Sequence, residues 1–248
     1  MLDSILDGLS DRTGPTDLCA ELAAPFAARM VFDVVGVREE DRPLCLHRSH
    51  LLRVSEGPPP VLDPARIRVM ADTGQDEATL AFFDVTEHET LAARIAYGLL
   101  FLLAYPDQLC RLQRTPALIS SAVEEILRLA VPGGSWIPRY AREDIEFGPI
   151  LIERGDLVVF SLQSANRDEG VFPDANRFLI DRSPNQHIGF GYGKYHCLAA
   201  HLSRMLLRTA ISTVFSRMPG LRLAVPLDRI EVDQTQVTGG LNALPVVW

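Results

Sequence analysis

The chain has 248 residues, enough to bury one substantial hydrophobic core or at most two small ones. Hydrophobic residues make up 47% and charged residues 23%, an ordinary globular balance that excludes a disordered or fibrous protein. The net charge of -8, with arginines scattered and no basic stripe, argues against nucleic acid as a partner.

Met1 to Ser10 carries Asp3 and Asp7 where a secretory signal would be basic. Thr16 to Val35 reads as a helix: Thr16 or Asp17 can cap it, and apolar residues recur at three and four positions. Gly36 punctuates, and Arg38 to Val54 suggests a second helix. Gly57-Pro58-Pro59-Pro60 forms a rigid break, and residues 61–73 are poorly patterned. Asp76 to Tyr105 is a long helical pattern that Pro106 stops. Its most apolar part, Gly98 to Tyr105, is too short to span a bilayer, so a soluble, cytoplasmic protein with no membrane contact is expected.

Thr115-Pro116 opens another helix that runs to Leu129 and is closed by Val131-Pro132-Gly133-Gly134. Ile145-Glu146-Phe147 and Ile150-Leu151-Ile152, separated by Gly148-Pro149, predict a hairpin, with a further strand at Leu157 to Phe160. Loops follow until Phe190, then a long helix from Leu198 to Met218 and a tail with β-like patches such as Leu244 to Val247. The expected fold is mainly α with a minor β component, in a single domain over 1–248.

Cys19, Cys45, Cys110 and Cys197 show neither close pairing nor C-x-x-C spacing, which fits a reducing compartment and neither a disulfide framework nor a zinc site. One of them stands out. Phe190-Gly191-Tyr192-Gly193-Lys194-Tyr195-His196-Cys197 delivers Cys197 to the start of the last helix. A helix N-terminus favours the ionised sulfur, and the glycines let a flat object lie against the loop backbone. A thiolate so placed suits haem iron. The same residues leave two other readings open: a buried cysteine acting as a small hydrophobe, and Gly189-x-Gly191-x-Gly193 as a phosphate loop.

Phe190 to Cys197 resembles the Phe-Gly-x-Gly-x-(His/Arg)-x-Cys haem-ligand loop of the cytochrome P450 superfamily, and other segments extend the likeness. Glu125-Ile126-Leu127-Arg128 is similar to the family's Glu-x-x-Arg helix, with Arg177 of Phe172-Pro173-Asp174-Ala175-Asn176-Arg177-Phe178 as third member of a buried charged triad. Arg139-Tyr140-Ala141 matches an Arg-x-Ala strand, and Thr86-Glu87-His88-Glu89-Thr90 aligns with the oxygen-activating (Ala/Gly)-Gly-x-(Asp/Glu)-Thr segment. Gly36-Val37-Arg38-Glu39-Glu40-Asp41-Arg42 resembles the family's Gly-Val-x-x-Glu-Asp-Arg segment.

The resemblance implies haem b as cofactor, Cys197 as iron ligand, and Arg139, Phe190, Gly191, Gly193, Tyr195 and Ala199 as its binding residues. It implies that Glu89 and Thr90 deliver protons during oxygen activation. It further implies a truncated P450-like fold that retains the long central helix, the Glu-x-x-Arg helix and the cysteine-loop helix. The activity implied is that of a haem-thiolate monooxygenase or peroxide-using oxidoreductase tailoring a small organic molecule, such as a natural-product intermediate. A ferredoxin-type electron donor would dock near the cysteine loop, where Lys194 and Arg204 supply positive charge.

Four departures bear on this. The chain is short for the family, lacking the first helices and, near Ser55 to Thr73, the two lid helices. Thr86 and Glu87 replace small residues. Tyr195 stands where a propionate-binding His or Arg is usual, beside His196. Ala199 replaces a glycine. The rival expectation is a haem-free relative, acting as an auxiliary of another enzyme or as a non-redox cyclase or isomerase using Glu87, His88 and Glu89. An open distal side would also expose Phe82, Val85, Ala92 and Ile95, predicting a homodimer or obligate complex that covers them.

Overall fold

A computed structural model gives the arrangement of residues 1–43, 46, 77–130, 139–233 and 239–248, with the backbone alone for 77–87. The expectations for residues 47–73, the closing segment at 131–134, and the side chains of Phe82, Val85, Thr86 and Glu87 lie outside the described residues.

Among the described residues the helices are α1 (Leu2–Ser10), α2 (Ala24–Val35), α3 (Glu77–Ala104), α4 (Pro106–Arg114), α5 (Ile119–Leu129), α6 (Leu162–Ala165) and α7 (Ala200–Arg217). The short strands are β1 (Thr16–Asp17), β2 (Arg139–Tyr140), β3 (Ile145–Phe147), β4 (Ile150–Ile152), β5 (Leu157–Val158), β6 (Arg222–Leu223) and β7 (Pro245–Val247).

The long helix α3 is the axis of the molecule: α2, α5 and α7 all pack on it, and α1 packs on α7. Ile95, Leu99 and Leu102 of α3 meet Val123, Ile126 and Leu127 of α5 and Leu207, Ile211 and Val214 of α7 in one core. Gly98 sits where the three helices come together. A Cβ there would lie 3.2 Å from Ile211 Cδ1 and 3.3 Å from Ile126 Cδ1, so an added methyl would require those side chains to give by a few tenths of an ångström. Ile95, expected on an open face, is fully buried inside the chain itself. That part of the surface proposed for an oligomer contact is already covered.

The segment expected as one helix over Thr16 to Val35 is divided. Thr16–Asp17 form β1 and pair antiparallel with Val246 and Pro245, and a π-helical turn at Cys19–Ala23 leads into α2. Neither Thr16 nor Asp17 is the N-cap, which is Leu18 for the turn and Ala23 for α2; Asp17 Oδ1 instead accepts the Cys19 N–H at 2.9 Å and the Leu244 N–H at 2.7 Å. Tertiary pairing with the C-terminal tail thus claims the first two residues.

Three helices were not read from the sequence, among them the single turn α6 in the stretch expected to be loops. In α1 the spacing of Leu2, Leu6 and Leu9 places all three in the core, an amphipathic signal of one face. In α4, Pro106 begins a helix as well as ending the pattern before it, because its missing N–H is an orphan at the first helical position anyway.

The remaining strands follow expectation. β3 and β4 form the predicted hairpin across Gly148-Pro149, with Gly148 at a φ of 57° that favours glycine. β5 pairs with β2, so Arg139 faces Val158.

Candidate active site

The loop before α7 is folded by its own backbone. The Gly191 N–H donates to Ile188 O at 2.8 Å, the His196 N–H to Gly193 O at 3.0 Å, and the Cys197 N–H to Phe190 O at 2.9 Å. Gly191 and Gly193 take φ of 74° and 69°, where a Cβ is strained, so the glycine pattern is a requirement of the turn itself. Nothing lies within 4 Å of where a Cβ on Gly193 would be, leaving open space over the loop.

Cys197 is half-buried and forms no disulfide. The helix begins at Ala200 with Ala199 as its N-cap, later than the expected Leu198. The cysteine therefore stands just outside the first turn, where the helix dipole is weaker than at the terminus itself.

Side chains from several elements then hold this loop. A Cβ on Gly189 would fall 2.5 Å from Leu127 O, so the loop's first glycine is needed for close approach to α5. The Gly189 N–H donates to His187 Nδ1 at 3.1 Å. His187 is therefore protonated at Nε2, which donates to Glu124 Oε2 at 3.1 Å. Glu124 also accepts from Arg204 Nε at 2.8 Å and Nη2 at 3.0 Å. Burial alone would raise the Glu124 carboxyl pKa, but the hydrogen bonds from His187 and Arg204 outweigh it and hold the group at about 2.

From α3, Arg94 donates Nη2 to Gly189 O at 2.7 Å. The Phe190 ring lies 4.9 Å from the Arg94 guanidinium and 4.8 Å from that of Arg204.

Behind the loop sits the charged cluster of α5. Arg128 closes a two-point bridge on Glu125 (both contacts 2.8 Å), and both side chains are fully buried. The third member is Arg182, whose Nε is 3.1 Å from each Glu125 oxygen. Arg177 contributes its carbonyl, which accepts from Arg128 Nη2 at 3.1 Å, while its guanidinium faces solvent 3.7 Å from Asp174. The expectation of an Arg177 side chain in the triad is corrected accordingly. Arg128 also reaches Asn166 O, and Asn166 Oδ1 accepts the Ile188 N–H at 2.8 Å, carrying the rigidity of the cluster into the cysteine loop.

Of the other expected site residues, Arg139 and Tyr195 are brought together: the guanidinium carbon is 5.0 Å from the phenol ring centroid. Lys194 Nζ lies 4.9 Å from the same ring. Arg204, expected as a docking charge, is instead engaged by Glu124 within the fold. Glu89 and His88 line a cavity of about 530 Å³ between α2 and α3, with Arg29, Arg42, Phe32 and Ala93. Thr90 is half-buried on α3, outside that lining. His88 is buried against Phe32, ring centroids 5.7 Å apart.

Among the described residues no three His, Cys, Asp or Glu side chains gather around a bare metal ion. A soft thiol, two side-chain-free loop positions and an arginine–phenol pair at the rim fit a flat macrocycle whose edge carries carboxylates.

The family model for cytochrome P450 matches residues 117–219, from the start of α5 to just beyond α7. Cytochrome P450-SU2 of Streptomyces griseolus is 32% identical across the whole chain, which covers 68% of that protein. The mycinamicin IV hydroxylase/epoxidase of Micromonospora griseorubida is 41% identical over 66% of this chain and 42% of its own length. The chain belongs to the cytochrome P450 family.

The crystal structure of the LnmA cytochrome P450 hydroxylase from the leinamycin pathway of Streptomyces atroolivaceus superposes with a TM-score of 0.84 at 32% identity, covering the whole chain and 72% of that structure. The cofactor of cytochrome P450 proteins is haem b, and the family places this chain among the oxidoreductases. The mainly helical P450 fold with short strands expected from the sequence is the one observed, with the long central helix, the Glu-x-x-Arg helix and the cysteine-loop helix all present. Among the described residues no helix is long and apolar enough to cross a membrane.

Sequence reasoning missed Arg94, Asn166, Arg182, Glu124 and His187. Arg94 carried a legible signal, a lone charge inside the apolar run Leu91 to Leu103. The others depend on contacts between distant segments and carried none.

Proposed function

We propose that this single domain is a haem-thiolate monooxygenase-type oxidoreductase, in which Cys197 would hold the iron, that tailors a small natural-product intermediate. When bound, haem b supplies the oxidising chemistry. The observation that carries the reading is the loop itself: a half-buried thiol in no disulfide, beyond two positive-φ glycines, with Arg139 and Tyr195 joined at its rim.

In this reading each residue has a defined task. The Cys197 Sγ is the anionic ligand, held in register by the Phe190 carbonyl. Gly191 and Gly193 keep the loop face flat, and Phe190 and Ala199 complete its apolar lining. Arg139 supplies the fixed positive charge for a propionate, and the Tyr195 ring orients that guanidinium while its hydroxyl offers a hydrogen bond. On α3 the Glu89 carboxyl, beside the solvent-reaching cavity, takes up and releases a proton, and the Thr90 hydroxyl donates one.

The electron donor is a ferredoxin-type protein, with Lys194 as the loop's own surface cation; peroxide is the alternative oxidant. The natural-product assignment is supported by relatives such as the mycinamicin IV hydroxylase/epoxidase and pentalenolactone synthase.

The test is spectral. Protein supplied with haem, reduced with dithionite and exposed to carbon monoxide should give the strongly red-shifted Soret band of thiolate ligation, and Cys197→Ala should abolish it. A protein that takes up no haem sinks the reading in favour of a haem-free auxiliary, cyclase or isomerase built on Glu87, His88 and Glu89.

A further inference from the structure

Arg94 is an arginine where the core pattern calls for an apolar residue. It lies on α3 one turn beyond Thr90, with Ile95 and Leu91 buried on either side of it, and its own side chain is only 6% exposed. A guanidinium stays charged at any pH a protein survives, and burying one is costly unless its donors are well placed. Here Nη2 donates to Gly189 O at 2.7 Å and the guanidinium plane approaches Phe190 at 4.9 Å. Both contacts fall on the segment that presents Cys197, since the Cys197 N–H is itself held by Phe190 O at 2.9 Å.

The contact runs between elements far apart in the chain, from the helix that carries Glu89 and Thr90 to the loop that carries the thiol. It fixes the distance between them, and it places a permanent positive charge in a poorly solvated position next to the loop.

We infer that Arg94 is a positioning residue that clamps the cysteine loop to α3 and raises the electron affinity of the iron ligated at Cys197. This rests on the haem-thiolate reading above. The physical argument is charge balance. Adding one electron to ferric iron lowers the net charge of the site by one, so a nearby fixed cation favours the ferrous form. The effect is large only where water cannot screen it. An exposed arginine elsewhere on the molecule should have no such influence. Arg217 serves for comparison: it is half-exposed at the end of α7 and pairs with Asp3 and Asp7 on α1.

The experiment is a spectroelectrochemical titration of the haem-loaded protein, with dithionite as reductant and the carbon monoxide spectrum recorded on each sample. Arg94→Gln and Arg94→Met remove the charge, and either suffices if the other does not fold; Arg94→Lys keeps it. The neutral variants should show a midpoint potential shifted to more negative values than the parent protein. Arg94→Lys should stay near the parent, and Arg217→Met should leave the potential unchanged.

A parent-like potential in a folded neutral variant that keeps its thiolate Soret band overturns the inference alone. So does an equal shift in Arg217→Met, or a shift in Arg94→Lys as large as in the neutral variants. Absence of the thiolate band in the parent protein overturns the haem-thiolate reading and this inference with it.

Discussion

Arg182 Nε sits 3.1 Å from both carboxylate oxygens of Glu125, a side chain with no exposed surface. Glu125 also takes the fork of Arg128, the Leu179 N–H and the Asn185 amide. One carboxylate thus ties α5 to the loop that leads into the cysteine segment.

Removing Arg182 leaves part of that buried charge uncompensated. Arg182→Met should cost about 3 kcal/mol, within the range for breaking a buried ion pair. Arg177→Met, which alters an exposed side chain and leaves the useful carbonyl in place, should stay within about 0.5 kcal/mol of the parent. Urea unfolding curves distinguish the two. Equal destabilisation would return Arg177 to the triad.

Two glycines make a matched pair. Gly189→Ala drives a Cβ onto the Leu127 carbonyl, and backbone on both sides leaves no flexible side chain to yield. It should destabilise by about 3 kcal/mol or more and loosen the cysteine loop. Gly8 lies on the exposed face of α1 with nothing within 4 Å of a new Cβ. Gly8→Ala should stabilise by about 0.5–1 kcal/mol through helix propensity. Thermal melts of the two variants should move in opposite directions.

The Glu124 carboxyl gives the acid limb of stability its direction. Its pKa in the folded protein is about 2, below its ordinary value of 4.5. A depressed carboxyl contributes stability that is complete above the unfolded value and lost as pH falls from 4.5 toward 2. Partial exposure of the group moderates the size of the effect but leaves its sign. In Glu124→Gln the loss of stability between pH 5 and about 2.5 should be shallower than in the parent, measured by urea midpoints at each pH. An unchanged slope would show that Glu124 is not held by His187 and Arg204 in solution.

Much of this arrangement was legible because it is local. The turn glycines Gly191 and Gly193, the Gly148-Pro149 hairpin and the long apolar pattern of α3 each follow from a few adjacent residues. The Cys197 loop could be recognised for the same reason. What escaped reading was set by distant chain segments. Thr16–Asp17 leave the expected helix because the C-terminal tail offers a strand, and no residue near them announces it. Arg177 and Arg182 share a residue type and lie close in sequence. Which one points inward is seen only in the contact of Arg182 with Glu125, 57 positions away, while Arg177 stays at the surface beside Asp174. The delayed start of α7 reflects the loop's own hydrogen bond from Cys197 N–H to Phe190 O, with Ala199 as N-cap whose carbonyl accepts from Ser203 N–H.

The cysteines offer a direct probe of the site without any turnover. Cys19 is packed among α2, α3 and the tail, and burial together with the charge of Asp17 pushes its thiol up to about 12. At pH 8 almost none of it is thiolate, so it should resist iodoacetamide in the folded protein, with or without haem. Cys197 is half-buried on a loop edge and forms no disulfide. It should be alkylated readily in the haem-free protein and protected once haem is supplied, because a sulfur bonded to iron donates its charge to the metal and is covered by the macrocycle, which makes it a poor nucleophile. Cys110, on α4 and away from the loop, should be modified at the same rate in both states. Peptide mapping by mass spectrometry reads each site separately. Protection of Cys110 along with Cys197 would mean that haem only stabilises the whole fold, and equal alkylation of Cys197 in both states would place the macrocycle somewhere else.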